Sequence, residues 1–373
     1  MNYLMRERQI NLSEISFVCF KLGCIGFGGI AGMVSLIESE IVTKRRWITR
    51  EHYLDVVGAA NIIPGPNAVE IVMHCAREKG GKAGLIIGGT MYIVPAMLIC
   101  LLWAYLYTRY GHLPSVEPFL YGIRPATAAI IAAAVFRLSK GVFKKVHIAV
   151  ISLIVLIGSL FGLNDIELLF GAGIAGTLYL NRKQLIALFP FPLLFINDSS
   201  GKQFKLFFLF FKIGAILYGS GYVLFAYIDD ALVQHNHWLT RQQLTDAISA
   251  GQITPGPILS SATFAGYLIN GTPGAILATI AIFLPSFFIA FFLHRLLAFI
   301  NRHALLRSFL DIVNGASVAL IAAVALQMIS GMIKEWQSVT VLILSLLIVL
   351  FTKVNTVWLI VFGGCTGYLL LQL

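Results

Sequence analysis

The residues best placed to do chemistry surround two copies of one tripeptide, Pro64-Gly-Pro66 and Pro255-Gly-Pro257. Proline removes a backbone donor and breaks a helix interior, while glycine frees the backbone. Each copy is expected to end one half-helix and start another, since proline suits the first helical turn. The second half-helix then presents N–H groups and a partial positive charge at the break, and helix N-termini bind anions. A pair of kinks that only shapes a helix bundle is the structural alternative.

Polar residues gather at the same places. Asn61 and Gln252 are amides three positions before each break, Asn67 follows the first, and Ser260, Ser261 and Thr263 follow the second. Amides and hydroxyls can donate to an oxyanion without adding a full charge, or can satisfy buried backbone. Lys21 and Lys212 lie in apolar stretches, where each can snorkel to an interface or counter an anion's charge. Arg124 is either an anion partner or an interfacial anchor. Glu70 and His74 lie four apart after the first break and can carry a proton or form a structural hydrogen bond. The candidate substrate-binding set is therefore Lys21, Asn61, Pro64, Gly65, Pro66, Asn67, Lys212, Gln252, Pro255, Gly256 and Pro257. Glu70 and His74 are the candidates for proton coupling. No third ligand accompanies them, so no metal site is expected. There is no Ser–His pairing, HExxH or paired Asp on matched spans. Neither an enzyme nor a cofactor is expected.

The elements that must position these residues are read from composition. Of 373 residues 58% are hydrophobic and 12% charged, against about 25% charged in a typical soluble domain. Disorder is excluded for the same reason. The expectation is an all-α polytopic membrane protein, at about 20 apolar residues per crossing. The net charge of +10 comes from 27 Lys+Arg against 17 Asp+Glu. The basic residues stand in short clusters between apolar stretches, as in Thr43–Trp47 and Arg137–Lys145. They read as cytoplasmic topology signals rather than a nucleic-acid face. The five cysteines show no CxxC and read as reduced. The first fifteen residues do not read as a cleaved signal peptide.

An internal repeat organises the chain. Phe20-Lys-Leu-Gly23 recurs 191 residues later as Phe211-Lys-Ile-Gly214, and Trp47-Ile-Thr-Arg50 as Trp238-Leu-Thr-Arg241. Asp55 matches Asp246. After a one-residue gap Pro95 matches Pro285 and Ala126 matches Ala316. The reading is an N-terminal repeat over 1–182, a linker over 183–203 and a C-terminal repeat over 204–373. Equivalent loops carry opposite charge bias. Lys44, Arg45, Arg46 and Arg50 face Asp229, Asp230, His235 and His237 in the second copy, and Arg137, Lys140, Lys144 and Lys145 face Lys334 and Glu335. The positive-inside rule then sets the halves in opposite orientations, as in many secondary transporters. Five spans are expected per half, at 14–38, 84–107, 118–137, 147–163 and 166–181, then 206–228, 275–295, 309–330, 338–352 and 355–372. The broken segments 52–76 and 243–267 are expected to dip in and return. Glycines near 23–29 and 214–221 read as close helix packing or as backbone exposed to a substrate.

These residues resemble the chromate ion transporter family in its two-domain form. The resemblance rests on Phe27-Gly-Gly, the basic loop ending at Trp47, Pro64-Gly-Pro66 with Asn67, Phe211-Lys-Ile-Gly-Ala, Gly219-Ser-Gly-Tyr222, Gly251-Gln-Ile-Thr-Pro-Gly-Pro257, Ala262-Thr-Phe264 and Phe283-Leu-Pro285. It implies a multi-pass protein of the inner (plasma) membrane that exports chromate, a tetrahedral dianion like sulfate. Ile30 departs from the family's usual Pro, and Glu70 and His74-Cys75 from its usual small or amide residue and Gly-Tyr. The partners expected are the lipid bilayer and a small inorganic oxyanion, with a homodimer left open and nucleic acid excluded. A uniporter or channel for sulfate or another oxyanion, and a lipid scramblase, are the alternatives.

Overall fold

The computed structural model describes residues 12–27, 29–60, 63, 65–111, 113–142, 145–180, 201–217, 221–302, 304–332, 335–352 and 354–372. In lipid a helix satisfies its own backbone, and every regular element among the described residues is helical. The first half contains α1 (Leu12–Ile25), α2 (Gly29–Ile37), α3 (Arg50–Ala60), α4 (Asn67–Tyr110), α5 (Glu117–Val142), α6 (Val146–Leu160) and α7 (Asp165–Leu180). The second repeats the series as α8 (Lys202–Ile216), α9 (Val223–Ile228), α10 (Arg241–Ile253), α11 (Ser261–Arg302), α12 (Ala304–Met332), α13 (Trp336–Phe351) and α14 (Thr356–Leu370). Each half inserts a π-helical segment at the same place, Glu38–Lys44 and Asp229–His235. Even the left-handed residues match, Arg46 at φ 52° and His237 at φ 51°.

Among the described residues four stretches are long and apolar enough to cross a membrane: Asn67–Tyr110, Glu117–Lys140, Ile258–Leu293 and Leu305–Met332. Val146–Leu160, Trp336–Phe351 and Thr356–Leu370 are shorter apolar helices. The chain is a multi-pass membrane protein. The expected linker, 183–203, lies almost wholly outside the described residues.

Two of the expected spans are not single helices. Helix α1 stops at Ile25 and α2 begins at Gly29, yet Lys21 Nζ lies 3.2 Å from Glu40 Oε1. Nineteen residues of straight helix would separate their backbones by about 28 Å. The chain therefore turns back after Gly26 instead of running through 14–38. The equivalent stretch 206–228 is likewise divided, into α8 and α9. Glycines read from sequence chiefly as packing residues are the place where the helix ends.

A second reversal lies inside α4. Gly81 has non-helical φ 60°, ψ −147°, and its counterpart Gly271 has φ 60°, ψ −154°. Gly88 lies against Ala76 Cβ, although twelve helical residues span about 18 Å. Residues 67–80 thus fold back on 82–110. His52, at the start of α3, lies 3.5 Å from Glu78. So α3 and 67–80 run antiparallel, with the Pro-Gly-Pro break at their tip.

The halves interlock. Helix α4 packs on α11 and α5 on α12, while α5 also packs on α13 and α14, and α12 on α6 and α7. Arg77 donates to Ala290 O (3.1 Å) and Phe291 O (2.9 Å) near the end of α11. At the opposite end Tyr107 of α4 meets Phe264 near the start of α11, ring centroids 5.3 Å apart. The equivalent helices α4 and α11 are therefore antiparallel.

Candidate functional site

The two breaks are built alike. Gly65 has φ 136° and Gly256 φ 93°, a region that L side chains avoid. Pro66 and Pro257 follow in extended conformation, at φ −78°, ψ 95° and φ −74°, ψ 131°. The Gly65 N–H donates to Leu217 O (2.7 Å) and the Gly256 N–H to Gly26 O (2.8 Å). Leu217 and Gly26 are equivalent positions, immediately after α8 and near the end of α1. Each break is thus tied to the first helix of the opposite half.

A cavity of ≈ 60 Å³ lies between the breaks, enough for a few water molecules. Gly26, Phe27, Met33, Pro66, Asn67 and Ala68 line it from the first half. Gly221, Tyr222, Gln252, Thr254, Gly256, Pro257 and Thr356 line it from the second. The first turn of α4, a ready anion-binding element, ends on it. So does Gln252, which is 5% exposed; its Nε2 makes no well-formed hydrogen bond, its one interaction being a weak one with the Tyr222 side chain beside it on the wall. A buried donor left without a good acceptor costs up to about 1–3 kcal/mol, which an acceptor placed in the cavity would relieve.

Of the residues singled out in the sequence, Pro66, Asn67, Gln252, Gly256 and Pro257 meet on this wall. Gly65 and Pro255 are next to it in the chain but not on it. Asn61 and Pro64 lie outside the described residues. Lys21 is not on the wall: its ammonium sits on Glu40, which also binds Lys44 and Arg45. Glu40 is 1% exposed. The Lys44 hydrogen bond foremost, with those of Lys21 and Arg45, outweighs burial and holds its carboxyl down to about 2. This hub fastens α1 to the returning chain. Lys212 is half-buried and also off the wall; Ala231 stands where Glu40 stands in the first half. Glu70 and His74 are buried behind the wall. The Glu70 carboxylate lies against Gly65, where a Cβ would stand 2.1 Å from Oε1. Phe27, Tyr222, Thr254 and Thr356 are wall residues that the sequence reading did not assign to the site. Thr254 is flagged only by preceding a break, and Thr356, at the start of the last helix, by no local signal.

Arg124 is paired within the protein. It bonds Asp246 through Nε (2.8 Å) and Nη2 (3.0 Å), and the Tyr107 hydroxyl donates to the same carboxylate (2.8 Å). Three residues on, Ser249 bonds Thr127 at 2.7 Å. This seam closes α10 against α4 and α5, and α10 is buried continuously from Leu244 to Gln252. The equivalent seam at α3 is looser: Ala59 and Ile63 still pack with Ile289 and Leu293 of α11 and Leu306 and Leu310 of α12, but the outer turns are uncovered. Asp55 is exposed, Leu54 is 53% exposed, and a Cβ on Gly58 would meet nothing within 4 Å.

Comparison with known proteins gives consistent results. A family model described as "Chromate transporter" matches residues 13–177 and again residues 204–368. The chain is 27% identical over 339 residues to the "Probable chromate transport protein" of Synechococcus elongatus, covering 84% of this chain and 83% of that one. It is 27% identical over 328 residues to the "Chromate transport protein" of Cupriavidus metallidurans, covering 84% and 80%. To the "Chromate transport protein" of Pseudomonas aeruginosa it is 25% identical over 377 residues, covering 94% and 90%. No solved structure matches.

Proposed function

This chain belongs to the chromate transporter family, and we propose that it exports chromate from the cytoplasm by alternating access, as a secondary transporter of the inner membrane. The observation that carries the reading is the small cavity walled by both breaks, with a helix N-terminus and the poorly answered Gln252 amide on it. Its size suits a compact inorganic anion and not a lipid. Pro66, Asn67, Gln252, Gly256 and Pro257 are the coordinating positions, and no enzymatic step belongs to the cycle.

The two halves lie in opposite orientations in the membrane, with the Pro-Gly-Pro hairpins re-entrant. Antiparallel packing of α4 on α11 supports this, as does the opposite charge bias of equivalent loops. The basic clusters at Lys44–Arg50 and Arg77–Lys82 flank the α3 hairpin, which makes that side cytoplasmic. Its looser seam, beside the closed seam at α10, supports a carrier that opens toward the cytoplasm in this state. Release outside follows when α3 docks and α10 withdraws. An inside-negative potential favours outward movement of a dianion by about 2.3 kcal/mol per charge per 100 mV.

Uptake of labelled chromate into inside-out vesicles, with the potential imposed, tests the reading. Saturable uptake inhibited by sulfate is expected. Absence of chromate uptake by purified, folded protein overturns it.

A further inference from the structure

Glu70 has no place in the wall just described, yet its setting is unusual. It is completely buried, and neither carboxylate oxygen has a hydrogen-bond partner. It lies against Gly65, at the turn that leads into the cavity-lining residues Pro66, Asn67 and Ala68. Its counterpart in the second break is Ser261, which bonds the backbone of its own turn at Ile258 O (2.9 Å). The second break therefore carries no acid. Among the described side chains on the elements packed against α4, the ionisable groups are paired elsewhere, exposed or uncharged. Lys21 of α1 is on Glu40, His52 of α3 is near Glu78, and Asp246 of α10 is on Arg124. Asp55 and Glu51 of α3 are exposed. Helix α2 has no ionisable side chain. His74, one turn along α4, is the nearest other titratable group in sequence.

An unpaired carboxylate in such a place is costly. One adjoining a bound dianion is costlier still, because the two negative charges repel across low-dielectric surroundings. Resting on the chromate-transport reading, we propose that Glu70 takes up a proton whenever the anion occupies the cavity, which makes the protein an anion–proton symporter. The proton is taken from water on the side where the anion enters and returned to water on the side where it leaves. Glu70 recycles as the carboxylate, with the emptied anion site and its helix N-terminus as its counter-dipole. One acid for two breaks gives one proton per dianion, so one net negative charge moves per cycle.

The test uses the full-length protein in liposomes carrying an internal pH dye, with chromate and then sulfate as substrate. Wild-type protein should acidify the compartment that the anion enters, and an imposed proton gradient should drive anion accumulation. Glu70→Gln should abolish both responses while labelled anion still exchanges for unlabelled anion across the membrane, because exchange needs no deprotonation. His74→Gln should keep the proton flux. Proton flux persisting in Glu70→Gln, or a wild-type protein that exchanges anion without moving protons, overturns the symport proposal and leaves the transport reading standing. A wild-type protein that exchanges neither anion overturns both. If Glu70→Gln does not fold, Glu70→Asp, which keeps the acid, decides through a shifted pH profile of transport; an unshifted profile counts against the proposal.

Discussion

Replacing Asp246 by Asn should open the seam at α10. The wild-type contact is a two-bond pair, with Arg124 and Asp246 side chains 16% and 2% exposed. Removing one partner of a buried pair costs about 3–5 kcal/mol. The small residual exposure of Arg124 favours the lower end. The charge left unpaired is that of Arg124, which gains water when α10 withdraws, as Asp55, the equivalent of Asp246 on the looser seam, already has. The whole penalty therefore falls on the closed state, and about 3 kcal/mol shifts the equilibrium by roughly 100-fold. A reporter cysteine at Ser249, 3% exposed in the closed seam, would read the shift in a background with exposed Cys365 replaced by Ala. Labelling by a membrane-impermeant maleimide added outside should accelerate by tens of fold when Asp246→Asn is added. Replacing both Arg124 and Asp246 by Leu should have a smaller effect, because no charge is left unpaired. Equal labelling rates with and without Asp246→Asn, in folded protein, would refute the idea that this pair holds the outer side shut.

Other consequences are open to measurement. Gln252→Leu removes the donor but keeps the bulk, so KM for the anion should rise by about 10-fold or more, the worth of one hydrogen bond to a charged group; an unchanged KM would take Gln252 out of the site. Gly65→Ala should lower the thermal midpoint more than Gly256→Ala. Both pay about 1–2 kcal/mol for left-handed backbone, but only the first meets an atom as near as 2.1 Å, against 3.1 Å at Gly256. Equal losses would contradict the packing argument. Glu40, held down to about 2, contributes stability that is complete above its unfolded value near 4.5 and lost as pH falls toward 2. Glu40→Gln should lower the midpoint at pH 7 and flatten that acid limb, and Lys21→Ala should weaken the hub with KM unchanged. A raised KM in Lys21→Ala would return that lysine to the anion site.

What the sequence could reveal was set by the range of the interaction. The repeat was legible because a fixed offset survives divergence, and it extends to the matched π-helical segments and to the left-handed Arg46 and His237. The breaks were legible because proline and glycine act on their own backbone. The wall residues Asn67 and Gln252 could be found because they lie within a few positions of a break. The reversal after Gly26 was not legible: glycines that permit close packing and glycines at which a helix ends are the same letters. Lys21 was misplaced for that reason, since Glu40 reaches it only once the chain turns back. Arg124 had no readable partner because Asp246 lies 122 residues away in the other half.

The crossed hydrogen bonds at the breaks also set an order of events during synthesis. Gly26 is made long before Gly256, so the second break finds its acceptor waiting. Gly65 has the opposite experience, because Leu217 follows it by 152 residues (217 − 65). At about 5–20 residues per second, that is roughly 8–30 s during which a donor destined for the protein interior has no mate. A nascent chain stalled anywhere in that interval exposes an unfinished break to the bilayer, where unsatisfied backbone is poorly tolerated. The first break is thus completed only by the second half, and a chain truncated before α8 lacks the acceptor that Gly65 has here.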